Sequence, residues 1–446
     1  MKSTRMLWSL LAALLVAQSA PAITDDERLQ TYRDFRSYFD QKQYEQALPY
    51  AERLVELTEQ QYGDKARELV NPLTNLGTVY HRMGNHQSAE TSYERGVQIL
   101  EASAANTDRQ LLLPLQGLGE TYNALGQHED ARLVLKRAVD LSRNLDGLFN
   151  LEQLKFVEPL IASYVALAQY QDAEKEHQYA FRVAETAYGR NDIRMLDPID
   201  QYARWFEFVG RYSTARALHG RALSIAERKG KNSPLTVDPL RGIARTYRLE
   251  FLNGPEDDTR DSFSNNTNNA PVMPSDMQNG QRLNADGERA LKLALGALDA
   301  QTPVARDKRG ATLVELGDWY LSAGDTIKAL ETYKGAWKEL QEAGSTELLS
   351  APRQLAYRPP ASSITRSRID PKDAEEKFVE VRFTVTNDGR TSNIETASSD
   401  APAGLQKSVV NAVKKARYSP RLENGEPAET SGVTLRERVM VKRKDA

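Results

Sequence analysis

The apolar positions of this chain return in phase every 42 residues. Ala47, Ala89, Ala131, Ala173 and Ala215 stand at that interval, and the same apolar pattern is rebuilt around them. One copy reads Leu73, Leu76, Gly77, Tyr80, Gly84, Ala89 and Tyr93; the next reads Leu115, Leu118, Gly119, Tyr122, Gly126, Ala131, Leu135 and Ala138. Steps of three and four residues place Leu115, Leu118 and Tyr122 on one face of a helix. Gly126 interrupts that run, and Ala131, Leu135 and Ala138 resume it on a second helix. The small residues at 119 and 131 let the paired helices approach closely. Units of this length bury their apolar faces only against their neighbours, so the pattern predicts an α-solenoid of helix pairs.

About seven units are expected over residues 23–343. The first keeps Phe35, Tyr38, Tyr44 and Ala47 but lacks the glycines, as suits a terminal unit with one neighbour. Pro72, Pro114, Pro198 and Pro239 recur at one place and mark the first turns of first helices, where a missing N–H costs nothing. In the sixth unit Leu240, Ile243, Ala244 and Tyr247 belong to one helix and Ala290, Ala294 and Ala297 to the other. Residues 253–287 between them are rich in Asn, Asp, Ser, Gly and Pro, and a disordered insertion is expected there. A seventh unit runs from Leu313 through Leu316, Gly317, Tyr320, Gly324, Ala329 and Tyr333 to Ala336.

From Gly344 the helical pattern stops. Prolines 352, 359, 360 and 371 crowd residues 344–377, which read as a semi-extended tether. The period then changes to two. Val379, Val381, Phe383 and Val385 alternate with polar residues, a half-buried strand. Asn387-Asp388-Gly389 suits a tight hairpin, and Ile394 to Ala397 the returning strand. Leu405, Val409, Val413 and Ala416 share a helical face, and Val433, Leu435, Val439 and Val441 suit a final strand. The expected fold class is mainly α: the solenoid, then a small α+β (ββαβ) domain over 378–446.

Two resemblances rest on these residues. Leu-Gly-x-x-Tyr at 76–80, 118–122 and 316–320, recurring in phase, resembles the tetratricopeptide repeat (TPR) in its variety with long second helices; Ile161 and Ala203 depart from it. Residues 355–442 resemble the C-terminal domain of the TonB family. The pieces that match are Val379-x-Val381-x-Phe383-x-Val385, Asp388-Gly389, Ala416-Arg417-Tyr418-x-Pro420 and Asn424-Gly425-x-Pro427, with Tyr357-Arg358-Pro359 as a looser lead-in. Glu376-Lys377 replaces the glycine usual before the first strand. That resemblance implies binding of an outer-membrane partner's segment by strand addition to a sheet edge, or pairing with a second copy as a homodimer.

The N-terminus bears on location. Lys2 and Arg5 precede an apolar run from Met6 to Val16, and Ala20-Pro21-Ala22 offers small residues for cleavage. This is the anatomy of a secretory signal peptide over 1–22, and the run falls short of the ~20 residues a spanning helix needs. With no cysteine in the chain, disulfides, thiolate metal sites and thiol catalysis are excluded, and the absence of disulfides favours a bacterial periplasm. TonB-family members that energise transport keep a membrane anchor, so an energy transducer with an uncleaved anchor is the rival reading.

Charge divides the molecule. Residues 353–446 carry 18 Lys and Arg against 13 Asp and Glu, while residues 23–352 hold a net −10. An acidic solenoid beside a basic domain implies distinct partners, or contact between the two within one molecule. No nucleic acid is expected in this compartment.

Candidate chemistry is sparse. His177 and His219 stand 42 residues apart, but other units place Tyr93, Leu135 and Tyr333 there, a packing position, and no carboxylate shares the period. No nucleophile elbow, phosphate-binding loop or zinc-ligand helix is present. The expectation is therefore a protein without enzymatic activity, cofactor or metal that binds proteins of the bacterial envelope. Candidate partner-binding residues on the first helices are Thr78, His81, Gln116, Glu120, Asn123, Glu158, Arg204 and Glu207. Those on the final strand are Val433, Leu435, Arg436, Arg438 and Val439, the strand expected at a sheet edge.

Overall fold

The computed structural model describes residues 25–102, 107–253, 285–363 and 374–443. The expected leader at 1–22 lies outside the described residues, as does most of the expected insertion. Asn253 closes one helix and residues 285–287 open the next, so the ends of that insertion are helical. The chain divides into two compact units, residues 1–173 and 174–446.

In the first unit α1 (Asp25–Asp40) pairs with α2 (Tyr44–Tyr62), α3 (Val70–Arg82) with α4 (His86–Ala102), and α5 (Leu112–Ala124) with α6 (His128–Asp146). Then come α7 (Leu154–Ala166) and α8 (Tyr170–Tyr188), which begins in the first unit and ends in the second. In the second unit α9 (Leu196–Phe208) pairs with α10 (Tyr212–Ala226), α11 (Val237–Asn253) with α12 (Ala285–Asp299), and α13 (Arg306–Ser322) with α14 (Thr326–Glu342).

The 42-residue period is a period of burial. All five phased alanines are fully buried, as is Ala329 of the last pair. Close approach is real at Gly119: a Cβ there would stand 2.3 Å from Leu135 Cγ. The same clash recurs at Gly317, where a Cβ would lie 2.5 Å from the Tyr333 ring.

The turn between paired helices is also periodic. Lys42, Gly84, Gly126, Ala168 and Gly210 all hold positive φ. In each, the next N–H reaches back to an aromatic residue's carbonyl, as in Gln127 N to Tyr122 O at 2.8 Å and Gln43 N to Tyr38 O at 3.0 Å. Glycine is the low-cost residue for this cap. Lys42 and Ala168 adopt it anyway, because packing of the pair holds the turn against a strain of about 1–2 kcal/mol. The repeated prolines fall at the third residue of α3, α5, α9 and α11, each behind a short 3-10 turn such as Arg67–Leu69.

The C-terminal portion differs from the expected tether. Residues Thr346–Leu349 form a 3-10 turn, and β1 (Arg353–Ala356) pairs antiparallel with β4 (Arg417–Ser419). The central sheet has the order β3-β2-β7, with β2 (Ala374–Val385), β3 (Thr391–Ser399) and β7 (Thr430–Lys442). Helix α15 (Ala403–Lys414) covers it, and β5 (Arg421–Glu423) and β6 (Glu426–Ala428) form a small hairpin. Val379, Val381, Phe383 and Val385 pack with Val409, Val413, Tyr418 and Val439 in one core, as the alternation requires. Gly389 closes the β2–β3 turn with φ +79°, and a Cβ there would meet Tyr418 O at 2.1 Å.

The two small sheets, β1–β4 and β5–β6, are seated on the last helix pair. Leu349, Leu355 and Leu422 join Val314, Leu321, Tyr333 and Leu340 in one apolar cluster. Residues 346–363 therefore belong to a packed unit, because Leu349 and Leu355 carry more buried apolar surface than a free tether tolerates. Among the described residues no helix is long and apolar enough to cross a membrane.

Candidate partner-binding surfaces

The first-helix candidates do not form one open site. In the first unit, Thr78 Oγ1 donates to Thr74 O and lies 2.9 Å from Tyr93 Oη. His81 Nδ1 is 3.0 Å from Thr121 Oγ1, and burial lowers its pKa. Gln116 donates to Glu120 at 2.8 Å. Asn123 donates to Pro159 O and accepts from Ser163, each at 3.0 Å, joining α5 to α7. His81 and Asn123 find their partners on the neighbouring first helix, while Thr78 and Gln116 find theirs within their own helix or pair, as a half-buried surface demands. Glu158 is exposed.

In the second unit Arg204 is exposed and paired with Asp200 at 2.6 Å. Glu207 corrects the expectation of a groove residue. Its side chain is 8% exposed, and it accepts from His219 Nε2 at 2.9 Å and Arg245 Nε at 2.7 Å. Burial pushes its pKa up, but the hydrogen bonds from His219 and Arg245 outweigh that and hold it below the usual value. His219 is buried, and a Cβ at Gly242 would sit 2.4 Å from its ring. His177 packs against Trp205 with ring centroids 4.8 Å apart and planes tilted by 31°, and burial lowers its pKa to about 4. Both histidines are packing residues. Their 42-residue relation reflects the core.

Sequence reasoning missed a cavity. One of about 650 Å³ opens in the first unit where α1, α3 and the start of α5 meet. Leu29, Tyr32, Asn71, Asn75 and Leu113 line it, and none of the expected groove residues does. Leu29 and Leu113 are 47% and 55% exposed.

The second surface is the edge of β7. Register pairs Thr434 with Arg382, Arg436 with Glu380 and Arg438 with Phe378. Val433 and Leu435 face the core side, half-buried, while Thr434, Arg436 and Arg438 are exposed. Arg436 lies 3.8 Å from the centroid of the Phe378 ring and Arg438 reaches Glu376 at 3.2 Å. Met440 N donates outward to Ser362 O at 2.8 Å. In an antiparallel strand every second residue points its N–H and C=O to one side, so Thr434 and Arg436 point the same way. Among the described residues nothing pairs with their outward groups. Val439 corrects the expectation of an exposed edge: it is fully buried and bridges Ser363.

Comparison with known proteins assigns both parts. Residues 36–102 and 115–145 match models of the tetratricopeptide repeat, and residues 373–436 match the model described as Gram-negative bacterial TonB protein C-terminal. The chain carries TPR repeats followed by a TonB C-terminal domain. Both are protein-interaction modules. No curated protein sequence matches the chain.

Among solved structures, nearly identical TPR-like repeats of a Podosopora anserina kinesin light chain are 18% identical, cover 46% of this chain and 97% of theirs, and reach a TM-score of 0.42. The apo quorum sensor NprR from B. thuringiensis is 13% identical over 70% of this chain and 76% of its own, with a TM-score of 0.41. Aspartyl phosphate phosphatase F from Bacillus subtilis is 14% identical over 71% and 72%, with a TM-score of 0.38. At these scores the neighbours say nothing more specific about this chain.

Where the TonB-type domain meets the repeats, Asp318 of α13 is the polar centre. Its Oδ1 accepts from Tyr333 Oη at 2.7 Å and from the Arg353 guanidinium at 2.8 Å, with 2% of its side chain exposed. Lys334 and Glu426 pair at 2.6 Å at the rim, and Gly425 lies against the Trp337 ring. Asp318 stands at the repeat position of Thr78 and Glu120, so its phase is legible in the sequence. Its partner Arg353 is not.

Proposed function

We propose that this protein is a non-enzymatic scaffold of the bacterial periplasm whose TonB-type domain binds an envelope protein by strand addition along β7. The observation that carries this reading is the outward-facing backbone of Thr434 and Arg436 on an edge strand, which nothing among the described residues pairs, since such groups accept an added strand. The cavity among α1, α3 and α5, with its exposed leucines, supplies a second protein-binding surface.

Two tests follow. Full-length protein immobilised against envelope extract is expected to capture a discrete partner. Thr434→Ala should leave capture nearly unchanged, whereas Thr434→Pro removes an outward donor and should abolish it. Normal capture by a folded proline variant, combined with loss in Arg436→Glu/Arg438→Glu and steep weakening by salt, would instead assign binding to the basic surface.

The second test concerns location. Met6 to Val16 and Ala20-Pro21-Ala22 lead us to expect a mature N-terminus near Ile23, recovered in the periplasmic fraction. N-terminal sequencing that returns Met1 from a membrane-embedded product would favour the energy transducer.

A further inference from the structure

The chain that leads into the TonB-type domain is fastened at both ends. Upstream, Arg353 is held by Asp318 of the last repeat, and β1 pairs with β4. Downstream, the chain lies along the outer edge of β7. Ser362 O accepts from Met440 N, and Ser363 bridges Val439. Glu437 locks this arrangement. Tyr357 Oη donates to its Oε2 at 2.8 Å and Ser363 Oγ to its Oε1 at 2.5 Å, with the residue only 9% exposed. A buried carboxylate held by two hydroxyl donors of one short segment is a clasp, because losing either donor leaves a charge-bearing oxygen unsatisfied.

The clasped segment is a poor permanent strand. Pro359 and Pro360 have no N–H to offer a ladder, and among the described residues its pairing with β7 is a single bridge. It covers the edge at Val439 and Met440, and among the described residues nothing covers the edge at Thr434 and Arg436. We propose that residues 357–363 are a displaceable strap over the β7 edge, which an incoming strand must lift to pair along the whole of β7. This rests on the strand-addition reading above.

The inner neighbour of β7 shows what the outer edge accepts. Strand β2 sets Glu380 opposite Arg436, Glu376 against Arg438, and the Phe378 ring under the Arg436 guanidinium. An incoming strand meets the same two faces: arginines on the solvent side, half-buried Val433 and Leu435 on the other. The partner segment is therefore an extended peptide that alternates acidic and apolar residues, since cross-strand neighbours of opposite charge stabilise pairing.

The full-length chain allows a direct test because it contains no cysteine. Ser363→Cys with Val439→Cys places the only two thiols on a directly opposed antiparallel pair. Such non-hydrogen-bonded pairs have Cα atoms about 4.5 Å apart, within disulfide reach. The probe is a fluorescent synthetic peptide with the sequence of β2, Ala374 to Val385. The reduced protein is expected to bind it, and the oxidised protein to bind about tenfold or more weakly, because locking the strap lowers the competent fraction.

Tyr357→Phe/Ser363→Ala, which needs no disulfide, should bind more tightly than the unaltered chain. Circular dichroism that matches between the reduced and oxidised forms establishes that both are folded. Equal binding by the two forms, with binding still lost in Thr434→Pro, overturns the strap and leaves strand addition standing. No binding to the reduced form overturns both.

Discussion

Asp318→Ala is expected to detach the TonB-type domain from the last helix pair and to cost roughly 2–4 kcal/mol. That lies towards the lower part of what breaking a buried ion pair costs, because the Arg353 side chain keeps 33% of its surface in water. The alanine removes the acceptor shared by the Tyr333 hydroxyl and the Arg353 guanidinium. The phenol, fully buried, finds no water in exchange. Tyr333→Phe deletes one donor without stranding a charge and should cost only about 1 kcal/mol. Denaturant unfolding of the full chain gives the ranking, and hydrogen exchange gives the place, with protection falling first in β1 and β4. If Asp318→Ala keeps its midpoint, or loses no more than Tyr333→Phe, the polar centre does not hold the domain.

Gly119→Leu is expected to be the most damaging change inside the repeats. Already the first added carbon stands 2.3 Å from Leu135 Cγ and 2.6 Å from its Cδ2, so α5 and α6 must separate or Leu135 must leave its place. Overpacking of this kind costs about 1–3 kcal/mol, occasionally more. Gly220 in α10 is the control, since a Cβ there meets nothing within 4 Å. Gly220→Ala should stabilise by roughly 0.5–1 kcal/mol through helix propensity alone. Thermal melts of the two variants should move in opposite directions. A Gly119→Leu protein that melts like the unaltered chain would remove the close-approach role from this glycine.

These two positions illustrate what a sequence can and cannot reveal. Gly119 is legible because its cause is local and repeated: a fixed interval returns a small residue to the seam between paired helices, and Gly317 repeats it against Tyr333. Asp318 shares a repeat position with Thr78, and both accept or share a hydroxyl from an aromatic residue 15 positions on. What distinguishes Asp318 is Arg353, a residue outside the repeats. The same limit explains Glu207. Its spacing places it on the first helix, but whether that face holds water or Arg245 and His219 depends on side chains 38 and 12 residues away.

By itself the sequence determined the helix pairs, the burial of the phased alanines, the alternating strand at 379–385 and the family of both parts. Each is a periodic or local property, set by which side of an element meets water. Only the tertiary structure decided that residues 346–363 pack instead of trailing as a tether, that Val439 is covered, and that the TonB-type domain closes the repeat array through Asp318. The physical reason is that proline density reports a backbone preference alone. The contacts that overrule it, Leu349 and Leu355 among the last helices and Ser363 on Glu437, join residues too far apart in the chain for any pattern to record.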